Sequence, residues 1–196
     1  MGHSRRAVEY GVSEDTIARA LAAFLRTLRS GNSAYDRWAV AKQQDAMTNE
    51  QKAGRVLFFE KGGCIACHLP PLFTDRSFHN VGVGYDKPKP DPGRGKILAD
   101  LAKEKGVEDE TAAAMMGAFK TPTLRGVIES GPFFHDGHAA TLEDAVDFML
   151  KGGIRNPNVD EKLKVRNVKP QERAQILAFL KSLTPEPKPF EKPKLP

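Results

Sequence analysis

An all-α fold is predicted for this chain by three observations. Apolar residues recur at helical spacing in four separate stretches, each opened by a capping or helix-starting residue. No stretch alternates apolar and polar residues as a half-buried strand does. Gly- and Pro-rich segments separate the helical ones. With 196 residues, 40% hydrophobic and 28% charged, the chain can bury one core and still carry an appendage.

The first helix is predicted from Ser13 to Arg29. Ser13 caps it, Glu14 and Asp15 sit in its first turn, and Ile17, Leu21, Phe24, Leu25 and Leu28 form one apolar stripe. Gly31-Asn32-Ser33 ends it. A second helix starts at Thr48, where Thr48 and Gln51 have capping-box spacing, and runs through Ala53, Val56, Leu57 and Phe59 to Gly62-Gly63. Pro70-Pro71 forbids further helix soon after His68. Residues 80–96 read as a long loop, 97–105 and 109–116 as short helices, and 131–137 as irregular. Thr141 caps a helix with Leu142, Ala145, Val146, Met149 and Leu150 on one face, and Gly152-Gly153 ends it. Pro170 opens the last helix, whose inward residues are Ile176, Leu177, Leu180 and Leu183. The Pro- and Lys-rich stretch from Pro185 to Pro196 reads as an extended tail.

Composition excludes several classes of function. The net charge is +5, with Lys and Arg read as scattered; without a basic stripe or a recognisable module, no nucleic-acid partner is expected. The charge is read first as an aid to solubility and second as a means of docking to an acidic partner. No apolar run approaches the roughly 20 residues needed to span a bilayer. The opening Met-Gly-His-Ser-Arg-Arg lacks the apolar stretch of a signal peptide.

The chemistry concentrates in Gly62-Gly63-Cys64-Ile65-Ala66-Cys67-His68, which holds both cysteines of the chain. A structural zinc site needs four ligands, and there is no second cysteine pair; His135 and His138 alone do not complete the set. A thioredoxin-like dithiol belongs beside a strand–helix alternation, which is missing. Cys-x-x-Cys-His suits the third use, covalent haem attachment. One turn places both sulfurs under one porphyrin edge and brings the adjoining His68 to the iron. The opposite axial position requires another donor, and a thioether there makes an electron-transfer iron. Met47, Met115, Met116 and Met149 are the candidates, each also explicable as core packing. Spacing alone leaves Met149 and the Met115/Met116 pair even.

Three further segments carry a resemblance: Phe119-Lys120-Thr121-Pro122-Thr123-Leu124-Arg125, Gly131-Pro132-Phe133-Phe134-His135-Asp136-Gly137, and Ala140-Thr141-Leu142-Glu143-Asp144-Ala145-Val146. With Ala20–Leu28 and Asn32–Trp38, they resemble the bacterial di-haem cytochrome c peroxidase/MauG family over about residues 7 to 184, in order and spacing. The match is to the C-terminal haem half of that family, preceded by the last helix of the N-terminal half. The resemblance implies a class-I-like cytochrome c domain with one covalent haem c and an extra N-terminal helix. It implies Cys64 and Cys67 as attachment points, His68 and Met149 as axial ligands, and Arg125 at a haem propionate. Residues 1–45 would be the leading segment, 46–184 the haem domain and 185–196 the tail.

The departure from the family is that only one CxxCH is present, so the peroxidatic haem motif is missing. Calcium, held in the family partly by backbone carbonyls that would fall near Ser130 and Pro132, loses an N-terminal-half ligand and is weakly supported. His135 is a candidate distal, inter-haem or acid–base group, though a histidine bonded within a tight loop is the preferred reading. His79 reads as structural and Trp38 as packing between the first helix and the haem domain. The expected function is single-electron transfer with a small cytochrome or cupredoxin as redox partner. The alternative is a haem peroxidase in which Met149 is displaced near His135, alone or with a haem domain from another chain. Self-association or a second haem subunit would cover the stripe of the first helix. Haem c attachment belongs to the periplasm, so the missing signal segment is read as removed.

Overall fold

The computed structural model describes residues 11–28, 31–107 and 110–186. The described residues fall into two compact units, 11–28 with 31 and 186, and 32–107 with 110–185.

The first unit contains α1 (Glu14–Leu25). Ser13 caps it as expected: its Oγ accepts from the Thr16 N–H, and Thr16 Oγ1 accepts in return from the Ser13 N–H. The helix stops at Leu25, short of Arg29, which lies outside the described residues. Thr27 and Leu28 bond back to Phe24 and Leu25 in a tighter turn. The apolar stripe is exposed, with Leu21 at 57% and Leu25 at 61%.

The second unit opens with a short helix that periodicity did not predict, α2 (Ala34–Ala39). Ser33 and Asp36 form its capping box, and Ser33 is fully buried. Then follow α3 (Asn49–Phe59), α4 (Gly93–Lys105), α5 (Glu110–Ala114), α6 (Leu142–Leu150) and α7 (Pro170–Lys181). Thr48 and Thr141 cap α3 and α6 as expected, and Pro170 occupies the first turn of α7. Helix α4 begins within the stretch expected to be loop. The all-α expectation also gives way at one place: β1 (Phe78–His79) pairs antiparallel with β2 (Phe119–Lys120). Two residues per strand are too few to show alternation in sequence.

The core is built where α3 crosses α7. Gly54 makes the close approach, since a Cβ there would lie 1.8 Å from the Gln175 carbonyl oxygen. Around the crossing, Tyr35, Phe58, Phe73 and Phe179 meet edge to face, with centroids 5.1 to 6.1 Å apart. Phe73 and Phe179 are fully buried. Met47, one of the candidate ligands, is also in this core, where packing accounts for it. Trp38 packs on the same core beside Tyr35 with the Arg55 guanidinium over its ring.

Candidate haem-attachment site

The site grows from the end of α3. Gly63 adopts a left-handed backbone (φ 66°), which a residue with a Cβ reaches only at a cost. It redirects the chain into a one-turn 3₁₀ helix, Cys64–Ala66, and the Cys67 and His68 N–H groups both return to the Cys64 carbonyl. That turn presents Cys64, Cys67 and His68 together. Both thiols are free. Burial pushes each up to about 11, the opposite of the lowered value that makes a redox dithiol reactive.

His68 is set by the loop that follows. Its Nδ1 lies 2.9 Å from the Phe73 carbonyl oxygen, which can only accept, so Nδ1–H donates. Nε2 is left with its lone pair. Burial lowers the His68 pKa against the opposing pull of the Phe73 carbonyl, Asp75 and the Pro122 carbonyl, so the ring is neutral at pH 7. Phe73 itself has a left-handed backbone (φ 54°). This strained conformation aims its carbonyl at His68 while its ring fills the core.

Arg125 holds the same loop from outside. Its Nη1 and Nη2 donate to the two Asp36 carboxylate oxygens at 2.9 and 2.8 Å, and Nε donates to the Pro71 carbonyl at 2.7 Å. The guanidinium also lies 5.8 Å from the Phe73 ring centroid. The Arg125–Asp36 pairing is fork-to-fork, with the Arg125 side chain 11% and the Asp36 side chain 18% exposed.

Two features were missed by sequence reasoning. The buried His79 ring bridges two acids, Nδ1 to Asp160 at 2.5 Å and Nε2 to Asp75 at 2.7 Å. Asp75 is tied through its N–H to the Cys67 carbonyl. Burial would raise Asp75, but hydrogen bonds from His79, the Ser77 N–H and Thr121 overcome it and hold the carboxyl at about 2. Ligand atoms of Cys67, Asp75 and His79 lie within 4.8 Å of one another. Both His79 nitrogens already have carboxylate partners, so this is a hydrogen-bonded clamp in place of an open zinc site. The second feature is Arg166, whose guanidinium covers Gly63 so closely that a Cβ there would lie 2.3 Å from it. Its backbone N–H bonds the Leu150 carbonyl at 2.8 Å. Arg166 thus links the cysteine turn to the last turn of α6, which carries the part-buried Met149.

The other expected residues lie apart from these contacts. The His135 ring stacks flat on Phe119, centroids 3.6 Å apart, and the residue is exposed. Its neighbour Asp136 pairs with Lys87. Met115 and Met116 follow α5, where their carbonyls accept from the Gly95 N–H and Asn80. Ser130 donates its hydroxyl to the Val127 carbonyl.

A turn that presents two cysteines and a lone-pair-bearing histidine on a mostly helical core defines a cytochrome c-like domain. No family model matches the chain. Its sequence is 39% identical over 180 residues to the methylamine utilization protein MauG of Methylorubrum extorquens, covering 92% of this chain and 47% of that protein. It is 35% identical over 199 residues to a cytochrome-c peroxidase of Denitromonas iodatirespirans, covering 90% and 52%. The crystal structure of a MauG-like protein associated with microbial copper homeostasis has a TM-score of 0.72 at 31% identity, over 95% of this chain and 61% of that one. The chain belongs to the MauG and di-haem cytochrome c peroxidase family. It spans about half the length of the curated relatives it matches.

Proposed function

We propose that the chain carries one covalent haem c and moves single electrons. Cys64 and Cys67 would attach the group, and His68 and Met149 would ligate its iron. The observation that carries this reading is the His68 arrangement: a part-buried, neutral imidazole whose Nδ1–H is given to the Phe73 carbonyl, leaving Nε2 for iron. Two free, protonated thiols in the same turn fit the attachment chemistry. When bound, the haem supplies a one-electron couple, which Met/His ligation shifts to an oxidising potential.

The chain's own residues do the rest. Phe73 fixes the tautomer and plane of His68. Arg125 acts as a positioning residue, tying the Pro71–Phe73 loop to Asp36. The Asp75–His79–Asp160 clamp holds the chain after the cysteine turn to the later loop at Asp160. Export to the periplasm and a small cytochrome or cupredoxin as electron partner belong to the same proposal. No helix among the described residues is long and apolar enough to cross a membrane.

The test is the optical spectrum of the oxidised protein. A near-infrared sulfur-to-iron charge-transfer band is expected, and Met149→Ala abolishes it. Survival of the band in that variant would move the ligand to Met115 or Met116. A high-spin spectrum with peroxide turnover would replace electron transfer with the peroxidase reading, for which the names of the relatives speak.

A further inference from the structure

The charge of this chain is not evenly spread. Between Lys151 and Lys169 lie six cations, Lys151, Arg155, Lys162, Lys164, Arg166 and Lys169, against Asp160 and Glu161, while the whole chain carries only +5. The fold gathers part of this stretch. A Cβ on Gly152 would lie 3.4 Å from the Lys164 carbonyl carbon and 3.2 Å from Val165 Cγ2, so the backbones at Lys151 and Lys164 run side by side. The Arg166 guanidinium then lies against Gly63, next to Cys64 in the chain.

Of the acids nearby, the exposed Glu161 alone is left to offset these cations. Asp160 is engaged by His79 and the Lys162 N–H, and Glu172 is paired with Lys61 and the Lys169 N–H. Among the described residues, Lys151, Arg155, Lys162, Lys164 and Arg166 form no ion pair. Lys151 and Lys164 are exposed, and between Lys164 and Arg166 the apolar Val165 is 68% exposed. An exposed apolar side chain flanked by unpaired lysines, in a segment with six cations and two acids next to the cysteine turn, is the anatomy of a transient protein interface steered by charge.

We infer that segment 151–169 is the docking face for a small acidic redox protein, which it seats at the edge of the chain where Cys64 and Cys67 lie. This rests on the haem reading for its purpose, though not for its geometry. The cations accelerate encounter and Val165 supplies the desolvated contact, so the complex forms fast and parts readily.

The test uses the protein as isolated and cadmium-substituted plant-type plastocyanin, an acidic cupredoxin that cannot exchange electrons. Binding is followed by NMR titration. Tight binding is expected at about 0.01 M ionic strength and at least about tenfold weaker binding at about 0.15 M, as the screening length falls from about 30 Å to about 8 Å. Lys151→Glu combined with Lys164→Glu should weaken low-salt binding by about tenfold or more, while the circular dichroism spectrum is unchanged. Shift changes should centre on residues 151–169. Binding that ignores salt, that survives the double reversal, or that is equalled by a lysine-rich mitochondrial-type cytochrome c overturns the inference. So does equal affinity for anionic lipid vesicles. An optical spectrum of the same sample separates the two readings. Haem without docking defeats only the inference, and docking without haem defeats only the proposed function.

Discussion

Helices α1 and α7 are each twelve residues long, and the sequence assigns both an apolar stripe. Their fates are opposite. In α7, Ile176, Leu177, Phe179 and Leu180 are all buried; in α1 no residue is, and Ile17, Leu21 and Leu25 stay about half exposed or more. An apolar stripe announces that a helix has something to bury, without saying where the covering surface lies. For α7 that surface is α3, brought close by Gly54.

The largest expected effect breaks the comparison at its buried end. Phe179→Ala removes a fully buried ring from the aromatic cluster and should cost about 3–5 kcal/mol in urea unfolding. Leu21→Ala, in the exposed stripe of α1, should stay within about 0.5 kcal/mol in the monomer. A large loss there would show that a surface does cover α1 in solution.

Next comes the clamp outside the core. Arg125→Ala leaves the Asp36 carboxylate mostly buried without its partner and should cost about 3 kcal/mol. Arg125→Lys keeps the charge but loses the fork, and should fall between that variant and the parent. A shift of the His68 ring resonances in both variants would separate loss of positioning from loss of stability alone.

The third effect is acid lability. Asp75 sits at about 2 in the folded protein against about 4 when free. The unfolded chain therefore binds more protons in that window, and stability falls as pH drops through it. Asp36 and Asp160 are lowered too and act in the same direction. Urea midpoints should decline from about pH 4 downward, more shallowly in Asp75→Asn. The smallest effect is Ser13→Ala, which removes the α1 cap and should cost that helix about 1 kcal/mol, read as lost helicity with the α3–α7 core unaffected.

Much of this fold was legible in the sequence because its signals are local. The Ser13, Thr48 and Thr141 caps and Pro170 each act within a turn of where they stand. The Cys64–His68 turn was legible for the same reason. Helix α2 was not found by periodicity, because six residues are too few to display one, although the Ser33/Asp36 spacing was present. The β1–β2 pair joins residues about forty positions apart, and the His79–Asp160 contact spans 81. Arg125 was noticed but its pairing with Asp36 was not, since Asp36 lies 89 positions away. Arg166 reaches Gly63 only because glycine leaves room for a guanidinium there. That vacancy has no sequence signal beyond the glycine itself.

Phe73 belongs to two structures at once: its ring is part of the packing, and its carbonyl is part of the site. Distance from the motif therefore gives a core residue no immunity. A cavity opened beneath Phe73 by a change at Phe58 or Phe179 loosens the peptide that holds His68. Any signal sensitive to the plane of that imidazole then becomes a gauge of how well the interior is packed.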